Sequence, residues 1–125
     1  METHAKRRIV IVGAGFAGIA AARALRDADA EVLLIDRRNH HVFQPLLYQV
    51  ATAILSPAEI AAPIRILEAE QANLSVLLAE VTNVSVAERT LDASLFGAGI
   101  RKIGFDYLIV ATGAHPSYFG RDEFA

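Results

Sequence analysis

No cysteine occurs among the 125 residues. That absence removes disulfides, thiolate metal sites and cysteine redox chemistry from this chain together, and it fits a reducing compartment. The histidines, His4, His40, His41 and His115, show no metal-ligand spacing, so no metal site is expected. No apolar run approaches the roughly 18 residues that a membrane-spanning helix needs. There is no basic block beyond Lys6-Arg7-Arg8, and the formal net charge is −2, so nothing argues for a nucleic-acid partner. The first strand-like run starts within about eight residues of the N-terminus, which leaves no space for a signal peptide. Internal repeats and low-complexity tracts are absent too. What is present is apolar: hydrophobic residues make up 54% and charged residues 21% of the chain, the balance of one compact domain with a real core.

Residues 8–36 organise the rest. A β-branched run, Ile9 to Val12, stops at Gly13-Ala14-Gly15-Phe16-Ala17-Gly18. A small-residue helical stretch follows, expected from Phe16 to about Asp29. A second apolar run, Val32 to Ile35, is continuous enough for a parallel strand covered on both faces, and it ends on Asp36. Strand, glycine motif, helix, strand and terminal acid is the context that a dinucleotide site requires. Gly13 would allow the tight turn, Gly15 would let a pyrophosphate approach the backbone, and Gly18 would let helix and strand pack closely. The positive end of the helix would face the phosphates, and Asp36 would accept hydrogen bonds from a ribose hydroxyl. The motif alone does not separate FAD from NAD, since both carry an adenosine ribose and a pyrophosphate.

Beyond Asp36 the pattern changes. Residues 37–53 hold no sustained period, yet Phe43, Leu46, Leu47, Tyr48 and Val50 are too apolar for a loop that simply faces water, and a segment buried against a ligand or a second domain is expected. Ser56-Pro57-Ala58-Glu59 is a capping box with proline at the first helical position, so a short helix to Ala62 and a second from Pro63 to about Gln71 are expected. Leu74 to Leu78 reads as a third buried strand. Three shorter strands follow, Val81 to Ala87, Thr90 to Leu95 and Ile100 to Phe105, with a turn or bulge at Gly97-Ala98-Gly99, and they suggest an antiparallel meander. Phe105 to Gly113 is a last buried strand that ends at Ala111-Thr112-Gly113.

This set of motifs resembles the FAD-binding half of flavoprotein reductases with two dinucleotide domains. The stretch from Asn39 to Thr52, with its H-x-F-Q-P-L-L-Y-Q-V-A core, together with Ser56 to Arg65, is similar to type II NADH dehydrogenase, the single-subunit, non-proton-pumping NADH:quinone oxidoreductase. The resemblance covers nearly the whole chain and implies an α/β, Rossmann-like FAD-binding domain over residues 1–125, with a parallel sheet and an antiparallel β-meander crossover. It implies that Gly13, Ala14, Gly15, Phe16, Ala17 and Gly18 line the FAD pyrophosphate, that Asp36 binds the adenosine ribose, and that Arg37 lies beside the adenine. Val81 would hold adenine through its backbone. Gln44, Pro45, Leu46 and Leu47 would approach the flavin, Gln49 or Thr52 would border its ring, and Ala111, Thr112 and Gly113 would pass beneath the flavin pyrophosphate. One departure is Ala53, where the family usually has glycine.

Two further consequences follow from the resemblance. Disulfide reductases of this architecture place a redox cysteine pair where this chain reads Phe43 to Ala53, so thiol–disulfide relay is excluded here. The family also carries a second glycine-motif domain for NADH and a C-terminal region for quinone and peripheral membrane attachment on the cytoplasmic face, with a homodimer allowed. Neither segment is within these residues, so the chain is expected to be an N-terminal piece, inactive by itself, with no acid–base or nucleophilic residue to assign. Two alternatives stay open: the FAD domain of a reductase with another acceptor, and a non-catalytic nucleotide-binding remnant.

Overall fold

The computed structural model describes residues 5–38, 40–42, 61–114, 117, 119–121 and 123, with the backbone alone for 40–42 and 61–63. In chain order the elements are β1 (Arg7–Val12), α1 (Phe16–Ala24), β2 (Ala30–Asp36), β3 (His40–Val42), β4 (Ala61–Pro63), α2 (Ile66–Glu70), β5 (Leu74–Ser85), β6 (Thr90–Leu95), β7 (Gly99–Gly104) and β8 (Tyr107–Val110). A six-stranded sheet runs in the order β7-β6-β5-β2-β1-β8, and β3 pairs separately with β4. The pairs β5-β2, β2-β1 and β1-β8 are parallel, while β5-β6 and β6-β7 are antiparallel.

Alternation along β1 and β2 sends their side chains to two different cores. On one face Ile11, Val32 and Leu34 pack with Ala14, Ile19 and Ala22 of the α1 region and with Ile64 and Leu74. On the other face Val10, Val12 and Ile35 pack with Ala79, Leu91, Ala93 and Ile103 of β5, β6 and β7. Both faces are therefore covered, which is why Ile9 to Val12 and Val32 to Ile35 are apolar throughout rather than alternating with polar residues.

β5 makes this layering possible. Its first half, Leu74 to Leu78, pairs parallel with Val32 to Asp36, and from Ala79 onward it pairs antiparallel with β6. The sheet curls there, with a register shift between Val81 and Asn83, and the meander turns back over the face opposite α1. The expectation of two strands, ending at Leu78 and restarting at Val81, is corrected to one. No turn-forming residue separates them, and the exposed Glu80 lies opposite Ser94 within a continuous ladder. Where β5 has no strand on its outer side among the described residues, the carboxylate of Glu68 in α2 accepts the Val76 amide hydrogen.

Other boundaries also move. α1 stops at Ala24 instead of about Asp29, because side chains distant in sequence take up its final carbonyls. Gln71, only 3% exposed, donates through Nε2 to the Ala22 carbonyl at 2.9 Å and to the Asn73 Oδ1 at 2.9 Å. Asn73 donates through Nδ2 to the carbonyls of Leu25 at 2.9 Å and of Ala28 and Ala30 at 3.3 Å. The acids Asp27 and Asp29 would in any case oppose the negative end of a longer helix. Ala61–Pro63 forms strand β4 instead of the end of a helix, with Pro63 opposite His40, and α2 begins only at Ile66. The capping box at 56–59 lies outside the described residues. The last strand is shorter than expected, Tyr107–Val110, although the Ala111 amide still donates to the Val12 carbonyl at 2.8 Å.

Asn73→Ala is expected to lower stability by about 1–3 kcal/mol, since it strips donors from the part-buried carbonyls of Leu25, Ala28 and Ala30 between α1 and β2. Urea unfolding followed by circular dichroism checks this, and an unchanged midpoint would count against the tie.

Candidate functional site

The strand order changes direction at β1. The chain leaves β1 through α1 to β2 on one side, while β8 closes the other side. In open α/β sheets ligands settle at such a point, outside the C-terminal ends of the strands. Residues 13–18 occupy that place.

Each glycine of the motif has a distinct surrounding. Gly13 has φ of +103°, a conformation side chains resist, and its amide donates to the Ile35 carbonyl at 2.8 Å. A Cβ there would sit 2.2 Å from the Ala111 carbonyl oxygen. So Ala111 and Thr112 lie directly against the turn, and the expected role of Gly13 in a tight turn gains a second component, close approach to the end of β8. At Gly18 a Cβ would lie 1.7 Å from the Gly13 carbonyl oxygen and 2.8 Å from its carbon, with Ile11 Cγ2 farther off at 3.5 Å. The helix is thus pressed onto the turn more than onto the strand. Gly15 differs from both. It caps α1 with φ of −82°, and a Cβ there would meet nothing within 4 Å. Among the described residues its lack of a side chain serves no contact, and open space is left at the helix terminus.

That terminus suits an anion. Its N-cap is a glycine, Gly15, with no side chain to cap the helix, its first turn has no acid, and Gly15, Phe16 and Ala17 are all exposed. Asp36, half-buried at the end of β2, stands beside it: Oδ2 accepts the Ala14 amide hydrogen at 2.7 Å and Oδ1 that of Arg38 at 2.7 Å. The second bond is the local turn that follows an aspartate, whereas the first crosses from β2 to the glycine loop and could not be read from spacing. Arg37 is exposed next to it.

The other expected residues divide. Leu78 is level with Asp36, so β5 continues past the end of β2 and carries Val81 beyond it, at the same end of the sheet as the glycine loop. Ala111, Thr112 and Gly113 follow β8 at that end, with Gly113 at φ of +71°. Gln44, Pro45, Leu46 and Leu47, with Gln49 and Thr52, lie outside the described residues. Among the described residues no group of His, Asp or Glu is placed to hold a metal ion.

A concavity of about 580 Å³ opens at the opposite end of the strands, between Lys6, Arg8, Glu31, Arg89, Phe105 and Asp106. Its charges answer one another. Arg8 reaches Glu31 at 3.5 Å, and the Arg8 amide donates to Asp106 at 2.7 Å. It lies far from the switch point and has no phosphate-binding turn.

Residues 7–124 match the family described as pyridine nucleotide-disulphide oxidoreductase. Over 120 residues the chain is 48% identical to a type II NADH:quinone oxidoreductase of Mycobacterium tuberculosis, covering 96% of this chain and 26% of that protein. The structure of NDH2 from Plasmodium falciparum in complex with NADH superposes with a TM-score of 0.80 at 27% identity, over 93% of this chain and 24% of that one. The sulfide:quinone oxidoreductase of Aquifex aeolicus gives a TM-score of 0.80 at 26% identity, over 90% of this chain and 25% of that one. The chain spans about a quarter of the length of each of these relatives.

Proposed function

The chain belongs to the pyridine nucleotide-disulphide oxidoreductase family, and from that premise we propose that it is the FAD-binding portion of a non-proton-pumping NADH:quinone oxidoreductase. One observation carries the binding half of this reading. Of the motif's three glycines, two have backbone atoms where a Cβ would sit and the third, Gly15, faces open space at the start of α1 beside a carboxylate. A pyrophosphate fits the first feature and a ribose the second.

Within this proposal the amides at the start of α1 meet the pyrophosphate, with Gly13, Ala14, Gly15, Phe16, Ala17 and Gly18 lining it. Asp36 accepts from the ribose, Arg37 flanks the adenine and the Val81 backbone holds its edge. Ala111, Thr112 and Gly113 pass under the flavin pyrophosphate, and Gln44, Pro45, Leu46 and Leu47 approach the flavin end. Bound FAD would supply hydride acceptance from NADH and electron delivery to quinone. The chain's own part is to hold, orient and shield it. NADH and quinone binding, and peripheral attachment to the cytoplasmic face of the membrane, are assigned to parts of a longer protein; a homodimer is compatible with the same reading. No helix among the described residues is long and apolar enough to cross a membrane.

Sequence, not shape, favours the acceptor. The NDH2 and sulfide:quinone structures superpose equally well at 0.80, whereas the identity of 48% belongs to an NADH:quinone oxidoreductase. Flavin absorption of the purified chain after incubation with FAD and desalting tests the binding. A retained visible flavin band is expected, and colourless protein would refute the proposal. NADH oxidation with a soluble quinone is expected to be at background for these 125 residues, so clear turnover would show that NADH needs no further domain.

A further inference from the structure

We infer that Asp36 acts on the glycine loop itself: its carboxylate clasps the Ala14 amide and so sets the shape of the phosphate-binding turn, a role separate from any contact with a ribose. The inference rests on the dinucleotide reading for its purpose, but the clasp is a property of the protein alone. Two neighbouring amides of the loop are tied to the last two residues of β2, Gly13 to the Ile35 carbonyl at 2.8 Å and Ala14 to Asp36 Oδ2 at 2.7 Å. The other carboxylate oxygen takes the Arg38 amide at 2.7 Å, which stops the side chain from swinging away. Bonds of this length to an ionised oxygen belong to the strong, charge-assisted class.

The geometry has a consequence for the ligand. With its hydrogen aimed at β2, the Ala14 amide does not serve the phosphate, and the donors that do begin at Gly15. Ala14 is 3% exposed, packed with Ile11 and Ile19 under the helix, so rotating this peptide would disturb the core as well as the turn. Asparagine at 36 offers a single acceptor oxygen for two amides, and its NH2 group would oppose an N–H. Alanine offers none. Glutamate keeps the charge but moves it one methylene further out, away from Ala14.

The test is amide hydrogen exchange, read by NMR on the ligand-free chain, for wild type, Asp36→Ala, Asp36→Asn and Asp36→Glu. In the wild type the Ala14 amide is expected to be protected like that of Gly13. Asp36→Ala and Asp36→Glu are expected to speed its exchange about tenfold or more while Ile11 and Leu34 keep their rates, since a bond to a charged group is lost locally. A wild-type Ala14 amide exchanging at the unstructured rate overturns the clasp without any variant, and so does unchanged protection in a folded Asp36→Ala protein. Binding of ADP and 2′,3′-dideoxy-ADP then separates the clasp from ribose recognition. Removing a negative charge near phosphates would by itself tighten binding. Weakening of dideoxy-ADP by about tenfold in Asp36→Ala therefore reports the loop. Unchanged or tighter dideoxy-ADP binding would show that Asp36 works through the ribose alone. A wild type that binds neither nucleotide refutes the dinucleotide reading, while the exchange rates still decide the clasp.

Discussion

Gly18→Ala is expected to destabilise the protein by about 3 kcal/mol or more, enough to leave a domain of this size largely unfolded. The added methyl would lie 1.7 Å from the Gly13 carbonyl oxygen and 2.8 Å from the carbon behind it. Neither atom belongs to a flexible side chain. The Gly13 carbonyl is held by a turn whose amide is bonded to Ile35 and whose Cα abuts Ala111, so it has nowhere to retreat. The remaining relief is to lift α1, which would pull Ile19 and Ala22 away from Ile11, Val32 and Leu34. Alanine is otherwise the best helix former, so propensity works in the opposite direction and the whole penalty is steric. Gly97→Ala is the matching control. That residue has φ of +75° but nothing within 4 Å of a new Cβ, so it should cost only the backbone strain, about 1–2 kcal/mol. Urea midpoints for the two variants check the ordering. A Gly18→Ala protein as stable as wild type would mean that helix and turn are not in contact.

Gly15→Ala should do the reverse, leaving the fold in place while weakening FAD binding roughly tenfold to a hundredfold, the effect of overpacking one methyl against a ligand. Within the protein the new Cβ meets nothing, and φ of −82° is ordinary for alanine. Alanine is a poorer N-cap than glycine but has less freedom to lose on folding, so stability should stay within about 1 kcal/mol of wild type. The pair of measurements, urea midpoint and flavin titration, separates two meanings that a glycine can have in one short motif. Unimpaired FAD binding by Gly15→Ala would show that the pyrophosphate does not approach this residue, and the proposed placement of the ligand would fall with it.

The part of the fold that could be read in advance is the part written locally. Ile9 to Val12, the glycine motif, the alanine-rich start of α1, Val32 to Asp36 and the meander strands are contiguous runs whose residue types state their own requirements. The misreadings share a cause. The end of α1 is decided by Gln71 and Asn73, and the edge of β5 by Glu68, all from other elements. β5 reads as two strands in the sequence because a strand that exchanges a parallel neighbour for an antiparallel one leaves no mark in its residues. Ala61–Pro63 carries helix-compatible alanines, yet pairing with His40 to Val42 prevails over propensity.

The candidate site divides along the same line. Which residues form the glycine turn, and that an acid closes the second strand, follow from composition and spacing, because a positive φ and a missing Cβ are properties of glycine wherever it occurs. Why those glycines are needed is settled only when strands distant in the chain become neighbours. β8 must lie beside β1 before Ala111 can press on Gly13, and β2 must lie on its other side before Asp36 can reach Ala14. Distances across a sheet depend on the order in which its strands pair, and that order comes from burying both faces of β1 and β2 at once.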